Sequence, residues 1–227
     1  MKNGVNNAFD KQVLIAFKLG KTEFMESFYK RGLIYMNSVK YFRDLPNLGQ
    51  GDIYEGAKIV RNGKPLEYRD TIAFEKVFCM WHINNFSLPQ GKGVSLKPLN
   101  DSTCEVTIDT MEYVEFSQGK PEELSVVIVH NLKEFHNRLR NKLNENYIGK
   151  YYSNAVSYYN PFEKNDIFPN VFMKPETLQY QNELRYLVKD NKEGPLKIEI
   201  GSIEDIAVIH PVSVIQIKFD YKLIPDV

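Results

Sequence analysis

The sequence has 227 residues, 29 basic and 29 acidic side chains, and 13% aromatics. That balance excludes intrinsic disorder, which needs few aromatics and high net charge, and disfavours a bulk polyanion binder, which carries excess positive charge. No apolar run approaches the roughly 20 residues that span a bilayer, the polar start lacks a signal-peptide core, and Cys79 and Cys104 alone build no disulfide framework, so the expectation is a cytoplasmic protein with no membrane segment.

Val13–Lys18 reads as a buried strand that Gly20 should end. Thr22 is a good helix N-cap, Phe24, Met25, Phe28 and Tyr29 fall at helical spacing, and Gly32 stands where a C-cap glycine belongs. Leu33–Met36 is a second strand, and Asn37 or Ser38 can cap a short helix through Val39–Arg43. The segment PNLGQGDIYEG is rich in turn formers, and Asn62-Gly63 between two short runs is a type I′ hairpin signal. Ile72–Ile83, Thr103–Ile108 and Ser125–His130 are β-rich.

Asn131 opens a capping box ahead of a helix whose apolar stripe is Leu132, Phe135, Leu139 and Leu143, with His136 on the polar flank. Glu183–Lys189, Leu196–Ile200 and Val214–Phe219 read as closing strands. The pattern predicts one α+β domain over residues 1–227, mostly antiparallel, with a few flanking helices.

Familiar chemical motifs are missing: there is no P-loop, GxGxxG, GxSxG or HExxH. Cys79-x-x-His82 is half of a zinc pattern at most, and strand alternation puts the two side chains on opposite faces, so no metal is expected. Asp52 and Glu55 lie between glycines, where carboxylates can reach a substrate or Mg²⁺ or stand as solvated turn residues, with Arg43 as an ion-pair partner. Residues 131–153 combine basic and aromatic side chains suited to single-stranded nucleic acid, though the zero net charge counts against that use.

The stretch Gln181-Asn182-Glu183-Leu184-Arg185-Tyr186 carries the most chemistry. Read as one strand, it turns Gln181, Glu183 and Arg185 to one face and Leu184, Tyr186 and Val188 to the core. Either the first set is an ordinary half-exposed strand face, or Glu183 lines a cleft, stabilises an oxocarbenium-like centre, and has Gln181 orient the nucleophile. Under the second reading Glu183 is partly buried in a concave surface shared with residues 15–18 and 33–38, and is dispensable for folding.

Gln181-x-Glu183 resembles the motif of ADP-ribosyltransferases. The order of Phe17-Lys18-Leu19, a helix ending at Gly32-Leu33, and Tyr35-Met36-Asn37-Ser38 is similar to that family's opening. The resemblance implies a split antiparallel α+β fold, NAD as substrate held by Lys18, Tyr35 and Ser38, and catalysis by Glu183 with Gln181; Lys18 stands where the family carries Arg or His. Residues Lys18–Gly56 and Tyr180–Arg185 also resemble a family of bacterial and phage proteins with the signatures IYMNSxxYFR, GDxYEG and YQNExR. That second resemblance implies a prokaryotic or phage setting and no activity.

Two functions therefore stand side by side: an NAD-dependent ADP-ribosyltransferase-like enzyme in phage defence or counter-defence, and a non-enzymatic inhibitor that binds a host or defence protein complex. The second rests on aromatic side chains, 14 of them tyrosines, which suit interface anchors.

Overall fold

The apolar run after residue 12 opens a large sheet in the computed structural model, which describes residues 13–46, 51–84, 92–100, 103–117, 119–146, 150–190 and 192–220. In chain order the elements are β1 (Val13–Lys21), α1 (Thr22–Arg31), β2 (Leu33–Ser38), α2 (Val39–Asp44), β3 (Ala57–Arg61), β4 (Lys64–Tyr68), β5 (Lys76–Asn84), β6 (Val94–Pro98) and β7 (Thr103–Asp109). They continue with β8 (Leu124–Val129), α3 (Leu132–Glu145), β9 (Tyr151–Ala155), β10 (Ser157–Tyr159), β11 (Met173–Pro175), β12 (Glu183–Val188), β13 (Leu196–Glu199), β14 (Ala207–Pro211) and β15 (Val214–Asp220).

The main sheet runs β13-β2-β5-β1-β8-β14, with β12 on the other edge of β5 and β9 beyond it. Its pairings are antiparallel. Smaller units are the sheet β15-β7-β6, the hairpin β3-β4 and the parallel pair β10-β11. The fold is thus mixed helix and strand with mostly antiparallel pairing, as the pattern predicts.

Local signals explain several elements. Gly32 adopts φ 62° and its N–H donates to the Phe28 carbonyl, closing α1. Ser38 Oγ accepts from Tyr41 N at 3.1 Å and starts α2, and Asn131 Oδ1 accepts from Glu134 N at 3.1 Å to start α3. Asn62 and Gly63 both have positive φ, as a type I′ turn requires.

Three local expectations are corrected. Gly20 does not end β1, because it stays in register with Ser125 of β8. Thr22 does not cap α1; its hydroxyl bonds the Glu123 carbonyl and Ser125 Oγ instead. His136 is buried, with Nε2 2.8 Å from Tyr186 Oη, and not on a polar flank.

Both faces of the main sheet are covered. On one, Ala16, Phe78, Met80, Val127, Leu184 and Tyr186 pack beneath α1 (Met25, Phe28) and α3 (Phe135, Leu139). On the other, Phe17, Leu19, Ile83, Val126 and Ile128 meet Val106, Ile108, Tyr113 and Ile215. Each buried Val, Leu, Ile, Phe or Met among them contributes about 1.5–3 kcal/mol by leaving water. Double coverage leaves β8 and β12 buried at every position, so a strand containing Glu183 and Arg185 lies inside the protein.

β5 also forks. It pairs with β1 through Phe17↔Trp81 and with β2 through Asn37↔Val77, and between those registers neither strand continues along it.

Gly32 is the local residue the packing tolerates least. A Cβ there would run into the Gly201 carbonyl and the Ile200 side chain, on a left-handed backbone. Gly32→Ala is expected to lower unfolding free energy by about 2–4 kcal/mol, from αL strain plus overpacking, read from the urea midpoint; a loss within 0.5 kcal/mol would contradict this packing.

Candidate functional site: a buried ion network beside the sheet fork

Arg185 is the organising side chain. It sits in β12 opposite Cys79 of β5 and is 1% exposed. Its Nε donates to Glu183 Oε1 at 2.6 Å, Nη2 to Glu55 Oε1 at 2.5 Å, and Nη1 to Glu55 Oε2 at 3.0 Å and the Val171 carbonyl at 2.6 Å. The Glu55 pairing is bidentate, the geometry a guanidinium makes best. The second oxygen of Glu183 faces Lys174 Nζ at 2.6 Å, and Lys174 also donates to Gln181 Oε1 at 2.8 Å. Two carboxylates and two cations thus neutralise one another within the protein.

Three distant segments supply these groups. Glu55 comes from a turn whose entry is fixed by Asp52 N donating to the Phe42 carbonyl and Glu55 N to the Asp52 carbonyl. Lys174 comes from β11, in register with Tyr158 of β10. Gln181 ends a 3-10 turn, and Asn182 (φ 38°) swings the chain into β12 while its side-chain amide donates to the His82 carbonyl at 2.8 Å. The Tyr158 hydroxyl accepts from Glu183 N at 3.0 Å.

The charge states follow from this packing. Burial would raise the Glu183 carboxyl, but Arg185 and Lys174 outweigh it and hold it well below the usual range. Burial would lower Lys174, but Glu183 holds it above its ordinary value. Desolvation, with the Glu183 carboxylate beside it, pushes the half-buried Cys79 thiol up to about 12, so it is no nucleophile at neutral pH. Asp52, 6% exposed, has no such partner: burial, and then the charge of Glu55, raise it to about 6.

The predicted site residues separate. Glu183 and Gln181 share Lys174, but Gln181 is not on the strand, because the left-handed Asn182 ends the preceding 3-10 turn. Lys18, in register with Val127 of β8, makes no direct ion pair with Glu183, although the Glu183 charge reaches it. Its ammonium stands 4.8 Å from the centroid of Phe78, which packs beneath α1, and donates to the Cys79 carbonyl at 2.8 Å within the fork; burial lowers its pKa. Tyr35 is 46% exposed, with Lys197 Nζ 5.4 Å from its ring centroid, and Ser38 is spent as the α2 cap.

Glu183 is therefore not part of a concave surface shared with residues 15–18 and 33–38; it is 4% exposed and paired on both oxygens. Asp52 and Glu55 are buried, not solvated, and Arg43 pairs with Asp44 and stacks on Tyr68. Lys174 carried no sequence signal, since nothing around it marks a buried cation. The Glu55–Arg185 contact spans 130 positions and only the fold reveals it.

Among the described residues no group of three His, Cys, Asp or Glu could hold a metal. Nor is any helix among them long and apolar enough to cross a membrane. Comparison with protein-family models, curated proteins and solved structures finds no match.

Removing one partner of a buried pair leaves the other charge uncompensated. Glu183→Gln is expected to cost about 3–5 kcal/mol in urea unfolding, against the expectation that Glu183 is dispensable for folding.

The network also fixes a pH response. Folded Asp52 keeps its proton up to about pH 6, whereas the unfolded side chain loses it near 3.8. Its contribution is therefore present at low pH and lost as pH rises through that window, by about 3 kcal/mol. Glu183, with its depressed folded pKa, acts oppositely and loses its contribution only below the ordinary carboxylate pKa of 4.5. Stability should fall between pH 4.5 and 7 in the natural protein and stay flatter in Asp52→Asn, as read from Tm across that range.

Proposed function

We propose that the chain is a non-enzymatic binding protein that engages a protein complex through the layer built by residues 51–68 and 160–170. The observation that carries this reading is that Ile53 (55%), Leu66 (52%), Phe162 (68%) and Phe168 (63%) are exposed together on that layer, whereas Phe24, Met111 and Val214 are exposed singly on other elements.

The layer is knitted together and firmly attached. Val60 bridges Ile167, Arg61 pairs with Asp166 at 2.6 Å, Gly63 N donates to the Pro161 carbonyl, and Tyr68 Oη donates to the Ile53 carbonyl. Arg69 Nη1 ties both parts through the Ala57 and Pro169 carbonyls, and Glu55 anchors the layer to Arg185. Rigid apolar and aromatic side chains on a preorganised support suit an interface that loses little entropy on association. The resemblance to bacterial and phage proteins makes a host or defence complex the natural partner.

A second reading, the NAD-dependent ADP-ribosyltransferase-like enzyme, is favoured by the forked β5 with Lys18 in the fork, which supports the split-sheet order of that family. Its weak point is Glu183, whose two oxygens are already occupied by Lys174 and Arg185.

The two readings separate in one pair of assays. Tagged protein in a prokaryotic lysate without added NAD should retain one stoichiometric partner. Leu66→Ser combined with Phe168→Ser should lose it while keeping the natural Tm, and nicotinamide release from NAD should stay at background. Absence of a retained partner, or equal retention by the double variant, would overturn the binding reading. NAD cleavage abolished by Lys18→Ala would establish the enzymatic one.

A further inference from the structure

The buried ion network leaves one neighbouring carboxylate without a counter-charge. Asp52 lies in the turn that carries Glu55, and its Oδ1 accepts from Tyr54 N at 2.9 Å. Among the described residues no cation stands within ion-pair distance of it, because Arg185 is taken by Glu55 and Glu183, and Lys174 by Glu183. Its Oδ2 has no hydrogen-bond partner and still touches solvent, although the residue is only 6% exposed. A carboxylate oxygen at the floor of a narrow opening, beside a fully paired network, is thus left to be met from outside.

A second polar group of the same layer is also unmatched. Tyr159 of β10 is 8% exposed, and its buried hydroxyl has no hydrogen-bond partner. Folded proteins leave few buried polar atoms in that state. The Tyr159 ring meets that of Tyr54 edge-on, centroids 6.4 Å apart, and Asp52 is the first of the charges that act on its hydroxyl. Tyr68 of β4 also feels the Asp52 charge, and its hydroxyl holds the carbonyl of exposed Ile53. An open carboxylate oxygen, an orphaned hydroxyl and tyrosine rings therefore gather beside the apolar contact surface, one cation short.

We propose that a lysine presented by the partner closes this gap, its ammonium on Asp52 Oδ2 and Tyr159 Oη and its methylene stem along Ile53. The inference rests on the binding role proposed above and names what the layer recognises. An ammonium is compact and needs few acceptors, whereas a guanidinium is matched best by both oxygens of a carboxylate, and Tyr54 N already holds Oδ1. Mg²⁺ or Ca²⁺ needs about six or more oxygen ligands, and the described residues offer no metal-holding group. Tyrosine rings attract cations, and a lysine stem lies along apolar surface while its head reaches a polar group. A proton competes for the same oxygen. Burial and Glu55 favour the proton, Lys174, the Tyr54 N–H and Arg185 oppose it, and the balance stands at a pKa of about 6, so the seat is charged at neutral pH.

Titration of the full chain with n-butylammonium, n-butylguanidinium and n-butanol, followed by the Ile53 amide resonance, tests this without any partner. At pH 7.5 the ammonium should shift the resonance saturably and bind several-fold more tightly than the guanidinium, and the alcohol should leave it in place. Affinity should fall about tenfold at pH 5, where the proton occupies Asp52. Asp52→Asn should abolish binding. Tyr159→Phe should weaken it several-fold while raising Tm, since a buried hydroxyl without a partner is removed. Glu67→Gln, at an exposed carboxylate of the same hairpin that pairs with Lys58, should change nothing. No saturable shift, an equal response to the alcohol, or binding indifferent to both pH and Asp52→Asn would overturn the proposal. In the lysate assay, a partner retained equally by Asp52→Asn would overturn the lysine seat and leave the binding role standing, whereas failure of the binding role itself shows as no partner on the natural chain.

Discussion

A guanidinium does not give up its proton inside a protein, and Arg185 is placed where water does not reach it. That constraint shapes much of the molecule. The charge must be met by anions, and Glu55 and Glu183 meet it. Two carboxylates around one cation leave a net negative charge, which Lys174 removes from the far side of Glu183. The turn at residues 51–56, the β10-β11 pair and the start of β12 therefore fold against one another or not at all. Such a network gains little net stability over an apolar core of the same shape, because desolvation offsets the Coulombic attraction. Its effect here is to specify which segments meet.

The arrangement of layers decides which charged groups fall into this position. Covering both faces of a sheet turns the alternation of β12 from inside-and-outside into two insides: Leu184 and Tyr186 face the helices, and Glu183 and Arg185 face the turn and β11. The same alternation starts Lys18 on the helix face, where its ammonium bonds a carbonyl in the fork of β5 and lies over an aromatic ring, so the Glu183 carboxylate acts on it through space and not as a direct ion pair.

The elements with local causes were the legible ones. Gly32, Ser38, Asn131 and Asn62-Gly63 act within a few residues of themselves, and their caps and turns stand where the sequence puts them. β6 and β11 escaped because a short strand on the rim of a layer carries little periodicity. The candidate site was half legible. Glu183, Arg185, Asp52 and Glu55 all stood out as charged residues in unusual company, yet their role turned on burial, which depends on chain segments more than 100 residues away. His136 was misplaced for the same reason, since only the approach of Tyr186 gives a histidine on that helix flank a buried partner.

What the network does to Glu183 bears on the choice between binding and catalysis. A carboxylate that stabilises a developing oxocarbenium centre must present an oxygen to substrate at the transition state. Both oxygens of Glu183 already accept from cations at 2.6 Å, and its pKa is depressed because those contacts are close and dry. Turning it toward a ligand would leave Arg185 with Glu55 alone and Lys174 with a neutral amide. The cost of uncovering a buried charge, about 3–5 kcal/mol, would come off any catalytic gain before chemistry began. The same contacts fasten the 51–68 layer to β12 through Glu55 and Arg185, and under the proposed binding role such fastening would lower the entropy lost on association.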